Sequence, residues 1–189
     1  MGFAIEMYFD PVTDQAVRDL WEGLADAGIT RIQLDLGTRP HVSLAVVEDG
    51  DEEVLAQAVD AFAVETSFIQ FTLAHAASFP TDQGVVFLGV TPTQGLIEAH
   101  RRFHGRLERA NVRVVPYYWP GKWVPHCTMA STVDRVRVGA AVALCSRARL
   151  PLVGSMQEVG LVSLEPSRPI RVHRLATHTT GQGGGGSER

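Results

Sequence analysis

Residues 41–44, His41-Val42-Ser43-Leu44, and residues 126–129, His126-Cys127-Thr128-Met129, share one form: a histidine, any residue, a hydroxyl residue and an apolar residue. Each sits in a run of strand-forming character, HVSLAVV at 41–47 and HCTMA at 126–130. Residues i and i+2 of a strand share a face, so His41 points with Ser43 and His126 with Thr128. Val42, Leu44, Cys127 and Met129 then turn inward. The chain has seven histidines, and its composition gives roughly 0.4 such matches by chance. Two are therefore worth following outward.

The stretches around the two motifs repeat. An apolar strand-like run, FAIEMYF at 3–9, ends at Asp10-Pro11, an N-cap residue followed by a proline suited to the first helical position. The helix that begins there places Val17, Leu20, Trp21, Leu24 and Ala27 on one face and stops at Gly28. After the first motif an acidic segment, Glu48 to Glu53, opens a helix with Leu55, Val59 and Phe62 on one face. In the second half VVFLGV (85–90) ends at Thr91-Pro92, read as another cap and proline. The next helix buries Leu96, Ile97, His100, Phe103 and Leu107, and Asp134 caps a helix running to about Cys145. Equivalent points lie at offsets of 81 (Asp10 to Thr91), 83 (Ala27 to Ala110), 85 (His41 to His126) and 83 (Asp51 to Asp134). The pattern predicts two related strand-helix-strand-helix lobes, roughly 3–67 and 85–147, with further strands at 68–79, 152–164 and 170–177 shared between them. Residues 1–177 then form a single bilobal domain, and 178–189 a flexible Gly-rich tail. His178-Thr179-Thr180 matches part of the motif but leads into that tail.

The 189 residues suffice for a packed core without disulfides or metal. With 45% hydrophobic and 20% charged residues, the chain is neither disordered nor fibrous. No apolar run is long enough to span a membrane and no secretory signal is visible, so the reading is cytoplasmic. The net charge of −4 argues against a surface that coats DNA. The charge is uneven, however: residues 1–94 balance at −12 and residues 95–189 at +8, so the second half could meet a phosphate. No glycine-rich phosphate loop or dinucleotide fingerprint is present, and no cofactor is expected. His41 and His126 lack a third ligand at metal spacing, and no metal is expected either. The chain is read as a monomer.

An imidazole beside a hydroxyl on one strand face joins a proton-transfer group to a donor for phosphate oxygens. Two such units divide the labour of breaking a phosphodiester at neutral pH: one ring deprotonates water, the other protonates the leaving oxygen. Ser43 and Thr128 then bond the non-bridging oxygens, where charge accumulates. The segment Pro116-Tyr117-Tyr118-Trp119-Pro120-Gly121-Lys122-Trp123 holds four aromatics and the only lysine, just before the second motif. Tyr118 and Trp119 are candidates to stack a base and Lys122 to meet a phosphate; the competing reading is a rigid loop packed on its own lobe. His100 and His104, on an apolar helix face, read as packing residues. Cys127 turns away from His126 and is not read as a nucleophile.

With these residues in place the chain resembles the 2H phosphoesterase superfamily, in particular bacterial proteins of the 2'-5' RNA ligase type. The resemblance rests on the two His-x-Ser/Thr-x motifs, their 85-residue separation, the strand-helix order over residues 1 to about 177 and the Trp-Val-Pro-His lead-in at 123–126. It implies an α+β fold of two pseudo-symmetric lobes, each an antiparallel sheet with helices outside, facing across a central cleft. It also implies metal-independent phosphodiester chemistry, often on the 2',3'-cyclic phosphate of a small nucleotide or an RNA terminus, with His126 as base and His41 as acid. Many RNA cyclic phosphodiesterases of the family carry an aromatic after the first motif and an arginine after the second; here Ala45-Val46-Val47 and Ala130-Ser131-Thr132 stand there. The alternatives are RNA ligation, the reverse reaction, and a nucleotide or RNA-end binding module without turnover.

Overall fold

The computed structural model describes residues 2–177, so the tail at 178–189 and the partial motif at His178 lie outside the described residues. The chain runs β1 (Phe3–Phe9), α1 (Pro11–Asp26), α2 (Ile32–Asp35), β2 (His41–Val47), α3 (Glu52–Glu65), β3 (Ile69–Ser78), β4 (Val86–Val90), α4 (Gln94–Arg109), β5 (His126–Ala130), α5 (Arg135–Ser146), β6 (Leu152–Leu164) and β7 (Ser167–Arg174). Pro116–Tyr118 forms a single 3-10 turn before β5.

The caps explain most boundaries. The Asp10 carboxylate accepts from the backbone N–H groups of Val12 and Thr13, starting α1. Asp51 does the same for Glu53 and Val54, so the third helix begins at Glu52, within the acidic run. Two expected caps are corrected. Thr91 is not the cap of α4: its N–H bonds to Thr72 O beside β3, and Thr93 caps the helix by accepting from Leu96 N. Asp134 precedes α5 but its side chain makes no capping bond; its backbone carbonyl accepts from Arg137 N instead.

All seven strands pair antiparallel, in the order β2-β1-β6-β3-β4-β5 with β7 also on β6. The two expected antiparallel sheets are present, and β6 joins them into one hydrogen-bonded surface. Along one edge β6 pairs with β1; along the other, residues 152–156 pair with β3 and residues 158–164 with β7. A strand of 13 residues is long enough to serve both halves.

The helices cross between the halves. α1 packs on β5 and α5 as well as on β1 and β6, and α4 packs on β2, β3 and α3. One continuous apolar cluster results, running from Phe3, Ile5 and Met7 on β1 through Trp21 and Leu24 to Leu88, Phe103, Met129 and Leu161. Among the described residues no helix is long and apolar enough to cross a membrane.

Candidate active site

β2 and β5, which carry the two motifs, are the outermost strands of the sheet, yet they lie against each other because the sheet curls round. Their burial patterns match residue for residue: half-buried, buried, half-buried, buried, buried over His41–Ala45 and again over His126–Ala130. Strict alternation would expose the fifth residue. The register explains why it does not. Glu6 opposes Ser43 and Ile5 opposes Ala45, leaving Leu44 as an extra residue; Phe87 opposes Thr128 and Val86 opposes Ala130, leaving Met129 extra. Each motif thus ends in a β-bulge at its fourth residue, which sends two successive apolar side chains inward and re-aims the strand.

An edge strand leaves backbone groups without ladder partners, and here they have specific ones. Trp123 Nε1 donates to Ser43 O at 3.0 Å, His104 Nε2 donates to Leu44 O at 3.1 Å, and Val115 N donates to Val46 O at 2.8 Å. On the other edge Trp21 Nε1 donates to Thr128 O at 3.2 Å. The hydroxyl residue of each motif is therefore fixed through its carbonyl by an indole from the opposite half.

The two imidazoles are held alike. His41 Nδ1 lies 2.6 Å from Arg39 O, and His126 Nδ1 lies 2.7 Å from Val124 O. A carbonyl only accepts, so each Nδ1 carries the hydrogen and each Nε2 is left for chemistry.

Their surroundings differ. His41 Nε2 is 3.4 Å from Glu6 Oε1, and Glu6 is only 6% exposed. Tyr8, directly opposite His41 on β1, meets its ring edge-on at 6.5 Å, and its hydroxyl is near enough to the Glu6 carboxylate to feel its charge. Burial, reinforced by the Glu6 charge, keeps the Tyr8 phenol protonated. His126 sits among rings instead, 5.0 Å from Phe79 and 5.2 Å from Phe87, which stack on each other at 4.4 Å. Burial lowers its pKa below 6.5, the Val124 carbonyl partly offsets this, and the charge of His41 lowers it further. The two rings are thus close enough to feel one another. A third histidine flanks the cluster: His75 opposes Gly89, which opposes His126, and any Cβ at position 89 would collide with the His75 ring.

Of the residues singled out in the sequence, His41, Ser43, His126 and Tyr118 come together. The Tyr118 hydroxyl faces the Ser43 side chain; burial raises its pKa, the Ser43 hydroxyl opposes this and the Glu6 charge adds to it. Thr128 shares the face of His126 on β5. Trp119 and Lys122 are placed elsewhere. The Trp119 indole donates to Val114 O at 3.0 Å, Lys122 Nζ stands 5.1 Å over its ring, and Trp119 lines an outer groove of about 960 Å³ with Arg101, Glu108 and Arg113. His100 and His104 are packing residues, as expected: His100 stacks on Trp123 at 3.9 Å and donates to Tyr118 O at 3.0 Å. Burial pushes the Cys127 thiol up to about 12, which makes it inert. Among the described residues no three His, Cys, Asp or Glu side chains are grouped to hold a metal ion.

Sequence reasoning passed over Glu6, Tyr8 and Phe79. The signal for Glu6 was available, since it is the sole charged residue of an otherwise apolar seven-residue strand and a buried carboxylate requires a partner.

A family model described as the 2'-5' RNA ligase superfamily matches residues 12–168. No curated protein matches the chain by sequence. The fold is similar to the crystal structure of E. coli LigT complexed with 3'-AMP, with a TM-score of 0.60 at 15% identity, covering 93% of this chain and 98% of that one. It is also similar to the crystal structure of TT0787 of Thermus thermophilus, with a TM-score of 0.65 at 13% identity, covering 94% and 100%. A structure of E. coli LigT complexed with ATP matches with a TM-score of 0.57 at 17% identity, covering 93% and 98%. At these identities the structural likeness establishes the fold alone.

Proposed function

Because the chain belongs to the 2'-5' RNA ligase superfamily of 2H phosphoesterases, we propose that it is a metal-independent phosphodiesterase opening the 2',3'-cyclic phosphate of a nucleotide or an RNA end. The observation that carries this reading is the pair of imidazoles on facing edge strands, each tethered through Nδ1 with Nε2 left for chemistry, in chemically different surroundings. The LigT structures complexed with 3'-AMP and ATP support a nucleotide as the substrate class.

His126 is the base. Burial and the neighbouring His41 keep it neutral, so its Nε2 lone pair takes the proton of the attacking water. As the water oxygen bonds to phosphorus, charge builds on the non-bridging oxygens, and Ser43 and Thr128 donate to them. Tyr118 faces Ser43 from the loop before β5. The ring P–O bond breaks while His41 gives its Nε2 proton to the departing ribose oxygen. The product is a phosphomonoester, His126 is left protonated and His41 neutral, and exchange with solvent restores both. Trp119 and Lys122 play no part in this scheme for a mononucleotide.

The test is metal-free incubation with 2',3'-cyclic nucleotides and short RNAs ending in a cyclic phosphate, beside a His41→Ala/His126→Ala double variant. Ring opening by the wild-type chain alone supports the reading. Joining of a 5'-hydroxyl end in place of water favours ligation, and tight binding without turnover favours a binding module.

A further inference from the structure

The two motifs are near-equivalent in backbone, and the strand positions beside them are not. The residue opposite Ser43 is Glu6, and its counterpart opposite Thr128 is Phe87. One half of the site thus contains a carboxylate where the other has an aromatic ring. We infer that Glu6 is a positioning residue that makes His41 the proton donor of the pair, an inference that rests on the phosphodiesterase reading above.

Three observations carry it. Glu6 is buried and lies 3.4 Å from the nitrogen of His41 that would hold the transferred proton. The carboxylate is kept there by its place on β1, and its charge reaches both Tyr8 and Tyr118. At that distance, and without the alignment of a hydrogen bond, it acts on His41 through charge. The Nε2 proton therefore stays free to be aimed at a leaving oxygen. A negative charge beside an imidazole favours its protonated form, the form a general acid must start from. His126 has no such neighbour among the described residues, and its surroundings of Phe79 and Phe87 favour the neutral ring that a base requires.

Other charged and titratable groups also face His41, and none takes over this role. Arg39 stands 4.0 Å over the Tyr8 ring and is paired with Glu158 at 2.6 Å, so its charge is balanced locally. Tyr8 and Tyr118 are both kept protonated by burial. From β5, Cys127 meets the His41 backbone as a neutral thiol and His126 is held neutral. Among the described residues Glu6 is the charged side chain within ion-pair distance of the His41 ring.

The experiment compares wild type, Glu6→Gln, Glu6→Asp, His41→Ala and Glu6→Gln/His41→Ala on a 2',3'-cyclic mononucleotide from pH 5.5 to 8, with circular dichroism as the check on folding. Glu6→Gln is expected to lower kcat by about 10- to 100-fold at pH 8 and by less than about threefold at pH 5.5, with KM nearly unchanged. It should add nothing in the His41→Ala background, because Glu6 acts only through that ring. Glu6→Asp keeps the charge and should recover most of the loss; if Glu6→Gln does not fold, a near-wild-type pH profile for folded Glu6→Asp supports the inference and a pH-independent loss overturns it. A Glu6→Gln loss that is equal at all pH values, or that persists without His41, overturns the inference and leaves the phosphodiesterase reading intact. Absence of turnover by wild type overturns that reading, and the inference with it.

Discussion

Trp123 and Ser43 are 80 residues apart in sequence and joined by one hydrogen bond, from the indole N–H to the backbone carbonyl, 3.0 Å long. The bond fixes the free edge of the strand that carries the first motif. Its counterpart, Trp21 to Thr128 O, does the same for the second. Each half of the molecule thus steadies the motif strand of the other, so the geometry between the two motifs is a property of the whole fold.

Trp123→Phe keeps most of the packing against His100 and removes the bond. Leaving a half-buried carbonyl without its donor costs about 1–3 kcal/mol, measurable as a lower denaturant midpoint. A cleft edge released by a fraction of an ångström should also lose about tenfold in kcat. Wild-type stability and kcat would show that the contact is incidental.

His41→Ala and His126→Ala should each remove about 10²–10⁴ of the rate on a cyclic nucleotide while leaving the fold intact. Each ring makes one Nδ1 hydrogen bond to a backbone carbonyl of its own strand lead-in, and circular dichroism checks that the fold survives its loss. Turnover at wild-type rates by either variant, measured by chromatographic separation of the products, would sink the proposed roles.

The acidic limb of the kcat/KM profile should lie below pH 6.5. A base works when deprotonated, and the His126 pKa is lowered from 6.5 by burial and by His41. The neutral ring therefore persists to lower pH, and the rate should hold there before it falls. Phe79→Ser, which lets water reach the ring, should move this limb back toward pH 6.5. A limb that does not move would show that burial by Phe79 is not the cause.

Tyr118→Phe removes the hydroxyl that faces Ser43 and should lower kcat/KM by about tenfold on a cyclic mononucleotide. Trp119→Ala should leave those kinetics unchanged, because its ring lines the outer groove with Arg101 and Arg113. The reverse outcome in steady-state assays would put the stacking surface at Trp119 after all.

Acid should loosen the fold through His100. Burial, with the His104 charge, pulls its pKa from 6.5 down to about 3. The unfolded chain therefore binds a proton that the folded chain refuses. This contribution to stability is complete above pH 6.5 and is lost as the pH falls from there toward 3, by up to about 1.4 kcal/mol per unit. His104, lowered by burial as well, acts in the same direction. His100→Gln should flatten the fall in melting temperature between pH 6.5 and 4; an equally steep curve would place the acid sensitivity elsewhere.

Local chemistry made much of this protein legible in its sequence. Asp10 before Pro11 starts α1 because a carboxylate satisfies the first free N–H groups, and Asp51 does the same for α3. Period-two alternation told which side of each motif strand carries His41 with Ser43 and His126 with Thr128. The near-constant offset between the halves identified the pair as a repeat. Capping and alternation are short-range effects, settled within a few residues.

What only the tertiary structure decided depends on residues far apart in the chain. The β-bulges at Leu44 and Met129 arise from register with β1 and β4, which alternation along a single strand does not encode. That Tyr118 turns into the cluster while Trp119 turns away goes with how the loop is anchored, by His100 of α4 donating to Tyr118 O and by Trp119 donating to Val114 O. Glu6 beside His41, and Phe79 and Phe87 beside His126, are likewise the result of strands meeting across the sheet. Pattern along the chain picked out two imidazoles and two hydroxyls as the candidate site. Burial and neighbouring charge, which exist only once the sheet has curled, decided that the two imidazoles differ.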